Sequence, residues 1–298
     1  MHILAVDIGG TTIKADIYNE LGQSQGMKVE YKTPVDLKKG SNKILDSIIH
    51  MIDEKMEHLK QSGRKLDGVA ISSAGVIDSE KGKVIYSGYT IPQYAKTNFT
   101  ETIEKKFDIP CKVLNDVNAA ACGEFAFGNY EPMGNFVCLT IGTGVGGAIL
   151  VNGELVMGHQ FSAGEVGYLP VNGHRFQDIA STTALCSYYK KISGTKEANG
   201  RDIFKAYDQG DHLAKKAIEW LTKNLADGLL AIVYLLNPRY IVLGGGIMER
   251  GEVLIPLIEE YLEQNLESPF FMPEKICQAK LGNSAGRLGA LHYFLHHQ

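Results

Sequence analysis

No stretch of this sequence is apolar for long enough to cross a membrane. The longest such run, residues 229–236, falls far short of the ~20 residues a span requires and reads as the buried end of a helix. A secretory leader is equally missing. The run Ile3-Leu4-Ala5-Val6 stops at Asp7, with no basic region before it and no small-residue cleavage site after it, so a cytoplasmic protein is expected. Cysteines are few and odd in number: Cys111, Cys122, Cys138, Cys186 and Cys277 lack C-x-x-C spacing and lie in apolar surroundings, which suits small buried thiols in a reducing compartment. Surplus positive charge is absent too. Lys and Arg total 30 against 34 Asp and Glu, a net charge of -4. The cations are scattered among the acids, leaving no basic stripe for a nucleic-acid backbone. There is no low-complexity tract, no long linker and no G-x-x-x-x-G-K-[ST], which excludes a P-loop protein.

What is present is ample core material. The chain has 298 residues, 44% of them hydrophobic, enough for two domains. Residues 3–6 read as a strand, Asp7-Ile8-Gly9-Gly10-Thr11-Thr12 as a turn, and residues 13–18 as the returning strand. A third strand is expected within residues 27–33. Ile44, Leu45, Ile48, Ile49, Ile52, Met56 and Leu59 recur at helical spacing until Gly63 ends the pattern, and residues 68–72 form the next strand.

The strand and glycine turn of Ala5-Val6-Asp7-Ile8-Gly9-Gly10 return as Leu139-Thr140-Ile141-Gly142-Thr143-Gly144. At that offset Ile8 matches Ile141, Gly9 matches Gly142, Ala15 matches Ala148 and Asn19 matches Asn152. A duplicated domain follows, each half offering a glycine hairpin tip whose amides suit a polyphosphate. Gly142-Thr143-Gly144-Val145-Gly146-Gly147 also satisfies the dinucleotide spacing G-x-G-x-x-G, with Glu165 further on. That fingerprint needs a helix after the glycines, whereas Ala148-Ile149-Leu150-Val151 reads as a strand.

Between the hairpins, Val113-Leu114-Asn115-Asp116 ends a strand and Val117-Asn118-Ala119-Ala120-Ala121 begins a helix. Alone, Asp116 would read as a helix N-cap. Flanked by Asn115 and Asn118, and between two candidate phosphate loops, it is also a candidate general base for a hydroxyl nucleophile. Farther on, the strand 240–243 runs into Gly244-Gly245-Gly246, whose bare backbone admits a flat base.

Taken in order, the runs at residues 7–11, 115–120, 141–147 and 243–246, with Ala163-Gly164-Glu165-Val166-Gly167, resemble the ROK family of sugar kinases, repressors and open reading frames. The resemblance extends from residue 3 to Ser284-Ala285-Gly286. It implies an α/β protein with a two-lobed actin-like ATPase fold, its duplicated domains ribonuclease H-like and separated by an inter-lobe cleft. Residues 1–115 would form the N-terminal lobe, with the C-terminal helix 286–298 packing back on it. Residues 116–285 would form the C-terminal lobe, with the second phosphate loop and the adenosine site. ATP and Mg²⁺ are the implied cofactors. Asp7 would place Mg²⁺ through its waters, while Gly9, Gly10, Thr11 and Thr12 face one part of the triphosphate. Gly142, Thr143 and Gly144 would hold the other phosphates, and Gly244, Gly245 and Gly246 would border the adenosine. Asp116 would be the catalytic base, Asn115 and Glu165 would grip sugar hydroxyls, and Gly75, with Asp78, would lie near the sugar.

Most of the family carries Gly-Glu-x-Gly-His and then a Cys-x-Cys-Gly-x-x-Gly-Cys zinc loop. Here Tyr168 stands at the His position and no cysteine follows until Cys186, so no structural zinc is expected. A short segment, 171–178, leads on instead, with Asp178 where the family has a second sugar-binding acid. Losing a rigid wall opens the pocket, and a tyrosine offers a flat face for a second ring. The 6-hydroxyl of a β-glucoside, such as a β-linked glucose disaccharide, is therefore the expected acceptor. Glucose and N-acetylmannosamine are the alternatives, and a non-catalytic sugar- and ATP-binding regulator is a further one. A family repressor needs a helix-turn-helix ahead of the phosphate loop, which here begins at residue 7. His159 and His174 read as loop residues and His292 with His296 as a solvated helix end, since none has a partner at metal spacing. Lys14 is balanced between a phosphate contact and an outward strand position. A homodimer is compatible with this reading; a nucleic-acid or membrane partner is not.

Overall fold

The structure is a computed structural model that describes residues 1–88, 91–130 and 134–297; residue 298, the last of the expected C-terminal helix, lies outside them. Contacts between Cα atoms divide the chain into two units, one of Met1–Asn129, Met157–Ser162 and Asn283–Gln298, the other of Tyr130–Val156 and Ala163–Gly282.

In the first unit β1 (Ile3–Ile8) folds back antiparallel as β2 (Thr12–Tyr18), and β3 (Val29–Lys32) adds the edge. After a small ladder of β4 (Val35–Asp36) and β5 (Ser41–Asn42), α1 (Ile44–Gln61) buries Ile44, Ile48, Met51, Ile52 and Leu59, then stops where Gly63 turns to φ 68°. Strand β6 (Gly68–Ser73) returns parallel to β1. A hairpin of β7 (Val76–Asp78) and β8 (Lys83–Tyr86) and the helix α2 (Phe99–Phe107) lead to β9 (Cys111–Asn115), parallel to β6. Helix α3 (Asp116–Phe127) follows at once. The strand order is β3-β2-β1-β6-β9. Because β1 and β6 are covered on both faces, they are apolar almost throughout, and Leu4, Val6, Ile8, Val69 and Ile71 join Ile48 and Ile52 in one core.

The second unit repeats the plan. A hairpin of β10 (Phe136–Ile141) and β11 (Val145–Val151) is edged by β12 (Glu154–Leu155). A small ladder of β13 (Pro170–Val171) and β14 (His174–Arg175) then opens a helical layer. The layer comprises α4 (Phe176–Ala180), α5 (Thr182–Ser193), α6 (Gly200–Asp208) and α7 (His212–Leu236). Strand β15 (Tyr240–Gly244) lies parallel to β10, and α8 (Gly251–Asn265) leads to β16 (Lys275–Gln278). The order β12-β11-β10-β15-β16 matches that of the first sheet. Leu139, Ile141 and Leu243 of the strands pack with Phe176, Leu221, Leu225 and Leu229 of the helices.

The last helix, α9 (Ala285–His296), belongs to the first unit and packs along α3. Their crossing requires glycine: a Cβ on Gly289 would lie 1.6 Å from the Ala119 carbonyl oxygen.

Two expectations are corrected. The register of the repeat slips at the tip. Ile8 pairs with Ile13 across residues 9–12, but Ile141 pairs with Val145 across residues 142–144, one residue fewer. Ile8 and Ile141 thus correspond, whereas Ala15 corresponds to Gly147, not Ala148, since these pair with Val6 and Leu139. The run 229–236 is also not buried to its end. Leu229, Ile232 and Val233 are core, while Tyr234 and Leu235 are 49% and 78% exposed, because a helix turns only one stripe toward the sheet. Among the described residues Cys111, Cys122 and Cys138 are buried and Cys186 and Cys277 partly so. No helix of the described residues is long and apolar enough to cross a membrane.

Candidate functional site

In the first unit the strand register sets Lys14, Asp7 and Ser72 abreast on β2, β1 and β6. Directly opposed residues present their side chains on one face. Ser72 Oγ donates to Asp7 Oδ1 at 2.8 Å. Burial raises the Asp7 carboxyl above its ordinary range, opposed by the Ser72 hydrogen bond and by the charges of Arg287 and Lys14. Lys14 Nζ reaches Asn283 Oδ1 at 3.3 Å. Gly286, at the start of α9, packs closely on this row: a Cβ there would sit 3.0 Å from Asp7 Oδ1 and 2.9 Å from Ser72 Oγ, so no side chain fits. At the hairpin tip the Gly9 amide donates to the Thr12 carbonyl at 3.0 Å and Thr33 Oγ1 donates to the Gly9 carbonyl at 2.7 Å, which leaves Gly10 and Thr11 at the exposed corner.

Asn115 ends β9 and is itself the N-cap of α3, its Oδ1 accepting from the amides of Val117 at 2.9 Å and Asn118 at 3.0 Å. Asp116 is the first helical residue, so the capping role considered for it falls to its neighbour. Asn115 Nδ2 donates to Asp116 Oδ1 at 3.0 Å and to the Gly75 carbonyl at 2.9 Å, and the Val117 amide also donates to Asp116 Oδ1 at 3.0 Å. One oxygen of the carboxylate is thus fixed by two donors. Behind it the buried Tyr94 hydroxyl shares a 2.6 Å hydrogen bond with Ser73 Oγ. Burial pushes that phenol above its ordinary range, the Ser73 bond opposing and the Asp116 charge reinforcing the shift. Asp78 is occupied with its own turn, accepting from the Lys81 amide at 3.0 Å.

In the second unit the shorter tip closes by a hydrogen bond from the Gly142 amide to the Gly144 carbonyl at 2.9 Å, and the Thr182 amide donates to the Gly142 carbonyl at 2.9 Å. The turn after β15 rests against it: Gly245 has φ 93°, and a Cβ there would stand 2.3 Å from the Ile141 carbonyl oxygen. Beside Gly246 opens a cavity of about 640 Å³ whose walls include Asn199, Phe204 and Arg250. The Arg250 guanidinium lies 4.9 Å from the Phe204 ring centroid and is fixed there by Asp208 at 2.8 and 3.0 Å.

Glu165 precedes the short turn Val166–Tyr168, and desolvation by the surrounding chain raises its carboxyl above the ordinary range. Tyr168 is 55% exposed. Asp178, expected as a sugar-binding acid, is paired with Arg175, Nε to Oδ2 at 2.8 Å. Its neighbour Gln177, which the sequence reading passed over, points inward. Its Oε1 lies 2.8 Å from where a Cβ on Gly144 would sit and 3.3 Å from one on Gly167, so its amide bridges the phosphate-type tip and the Glu165 turn. A helical offset of one residue separates the two, and no local signal distinguishes them. Among the described residues no three His, Cys, Asp or Glu side chains are grouped to hold a metal ion.

Two units, each a five-stranded sheet of one order with a glycine hairpin beside its central strand, make this an α/β protein with the actin-like ATPase fold. The ROK family model matches residues 3–297, and the chain belongs to the ROK family. It is 30% identical over 305 residues to a β-glucoside kinase of Listeria monocytogenes, covering 99% of this chain and 98% of that one. Among solved structures it resembles a ROK family protein of Streptococcus pneumoniae TIGR4 in complex with sucrose, with TM-score 0.83 and 28% identity over 99% of this chain and 98% of that one. It also resembles a ROK family glucokinase of Streptomyces griseus in complex with glucose and AMPPNP, with TM-score 0.78 and 26% identity over 98% of each chain.

Proposed function

We propose that this ROK-family carbohydrate kinase transfers the γ-phosphoryl group of ATP to the 6-hydroxyl of a β-glucoside, with Asp116 as the general base. The observation that carries the reading is the Asp116 carboxylate at the start of α3, oriented through one oxygen by Asn115 Nδ2 and the Val117 amide. A carboxylate so fixed takes the hydroxyl proton as the sugar oxygen bonds to the γ-phosphorus and the bond from phosphorus to the β,γ-bridging oxygen breaks, releasing ADP. Asn115, Glu165, Gly75 and Asp178 hold the sugar, with Gln177 beside the Glu165 turn. Gly9, Gly10, Thr11 and Thr12 on one tip and Gly142, Thr143 and Gly144 on the other bring backbone donors to the phosphates. The cavity beside Gly246 suits adenosine in size. Asp7 fits magnesium in its chemistry, a hard carboxylate donor with one oxygen held by Ser72 Oγ. Mg²⁺, when bound, would neutralise phosphate charge, and Asp7 would be the residue that holds it.

A β-glucoside is favoured over a free hexose because the turn after Glu165, with Tyr168 exposed, leaves the way past Glu165 open to a further ring. The β-glucoside kinase relative and the family member bound to sucrose lend support. Coupled ADP release with glucose, N-acetylmannosamine, cellobiose and gentiobiose, for the parent and for Tyr168→His, tests the reading. The parent is expected to favour the β-linked disaccharides in kcat/KM. Preference for a free monosaccharide by about tenfold or more would overturn that choice of acceptor.

A further inference from the structure

A second cavity in the same unit, about 600 Å³, runs from Thr143 and Gly144 along α5 to Tyr188 and Trp220. Its volume falls within the ~300–1,000 Å³ of small-molecule sites. The phosphate and adenosine roles proposed above leave its far end unassigned. That end is a pair of rings, Tyr188 on α5 and Trp220 on α7, stacked with centroids 4.3 Å apart and planes inclined by 7°. Gln177, Asp178, Ser181 and Ser187 also line the cavity.

We propose that this groove is a saccharide subsite that takes the second glycosyl ring of a β-linked disaccharide; the inference rests on the sugar-kinase reading of the same unit. The chemistry of the wall selects such a ring. A β-glucosyl residue carries its hydroxyls equatorially, leaving flat C–H faces for aromatic rings and a rim of hydroxyls for amide, carboxylate and serine groups. A phosphate chain is a poor fit at the far end, where Lys191 is the one ammonium among the lining residues beside two aromatic rings. Mutual stacking fixes both rings before any ligand arrives, so little side-chain freedom is lost on binding. Gln177 supplies continuity: its amide adjoins both Gly144 and Gly167, so a sugar gripped at Glu165 passes it to enter the groove.

Trp220 is the chain's only tryptophan, so its emission reports on the groove directly. Gentiobiose or cellobiose added to the full chain without nucleotide is expected to change that emission saturably, with methyl β-glucoside giving a much smaller change. Equal changes with both sugars would overturn the subsite. In turnover assays Tyr188→Leu, and Ser187→Tyr, which fills the groove from an exposed position of α5, are each expected to lower kcat/KM for gentiobiose about tenfold and leave methyl β-glucoside within about twofold. Two folded variants with unaltered gentiobiose kinetics would also overturn it. If no β-glucoside is turned over yet gentiobiose still titrates Trp220, the subsite stands and the reading of the activity falls. If gentiobiose is turned over and both variants behave as the parent, the activity stands and the subsite falls.

Discussion

The two sheets share a strand order but not a chemistry, and the difference is sharpest two residues before each hairpin tip. In the first unit the row across β2, β1 and β6 is Lys14, Asp7 and Ser72; in the second, across β11, β10 and β15, it is Gly146, Thr140 and Gly244. One row carries a cation, an anion and a hydroxyl, and Gly286 of α9 stands over it without a side chain. The other is stripped to a hydroxyl between two glycines, with Gly245 pressed onto the Ile141 carbonyl behind it. A frame that positions charge and a frame that lets backbone approach a ligand closely can thus be the same frame, changed at a few positions where register brings residues together.

The largest expected effect breaks the symmetry altogether, since the second sheet has no counterpart of the Asp116 site. Asp116→Asn is expected to lower kcat by ~10²–10⁴ with nucleotide binding and fold retained, measured by coupled ADP release and nucleotide titration. Near-parental turnover at saturating sugar would reduce Asp116 to a structural residue.

The rows themselves come next. Asp7→Asn should raise the Mg²⁺ concentration needed for half-maximal turnover and Gly144→Val should raise the KM for ATP, each by about tenfold or more, with a smaller change in the sugar KM for Asp7→Asn. A Cβ at residue 144 would lie 2.8 Å from Gln177 Oε1, so the valine must displace that amide. Unchanged ATP kinetics in Gly144→Val would remove the second tip from the site.

A stability comparison sharpens the two cores. Gly289→Ala drives a Cβ toward the Ala119 carbonyl in the first unit, and Gly228→Ala drives one to 2.2 Å from the Phe176 ring in the second. Each should cost ~1–3 kcal/mol in urea unfolding. Parental midpoints for either would mean that its helix contact relaxes freely.

The smallest effect is one of pH and belongs to the first unit alone. Burial lowers the His292 pKa to about 4, assisted by His296 and His297. An imidazole lowered from its ordinary 6.5 binds fewer protons folded than unfolded. Its contribution is full above about pH 6.5 and is lost as the pH falls toward 4. His292→Phe should flatten the fall in Tm between pH 7 and pH 5; an unaltered slope would assign that fall to other groups.

By itself the sequence determined the parts that depend on near neighbours. Periodicity marked α1 and its glycine stop, alternation and glycine marked both hairpins, and the strand-to-helix junction marked Asn115 and Asp116. The motif order carried the family. Tertiary structure alone decided what depends on distance across the fold. Tip lengths, not sequence matches, chose Gly147 as the partner position of Ala15, because pairing follows the last hydrogen-bonded residues before a turn. Packing set Gln177 against Gly144 and Gly167 while Asp178 pairs with Arg175, since adjacent helical residues point about 100° apart and only the neighbouring turns show what each one meets. The same limit left the end of α7 exposed and brought Tyr188 onto Trp220: residues distant in the chain share a wall only after the helices that carry them have packed.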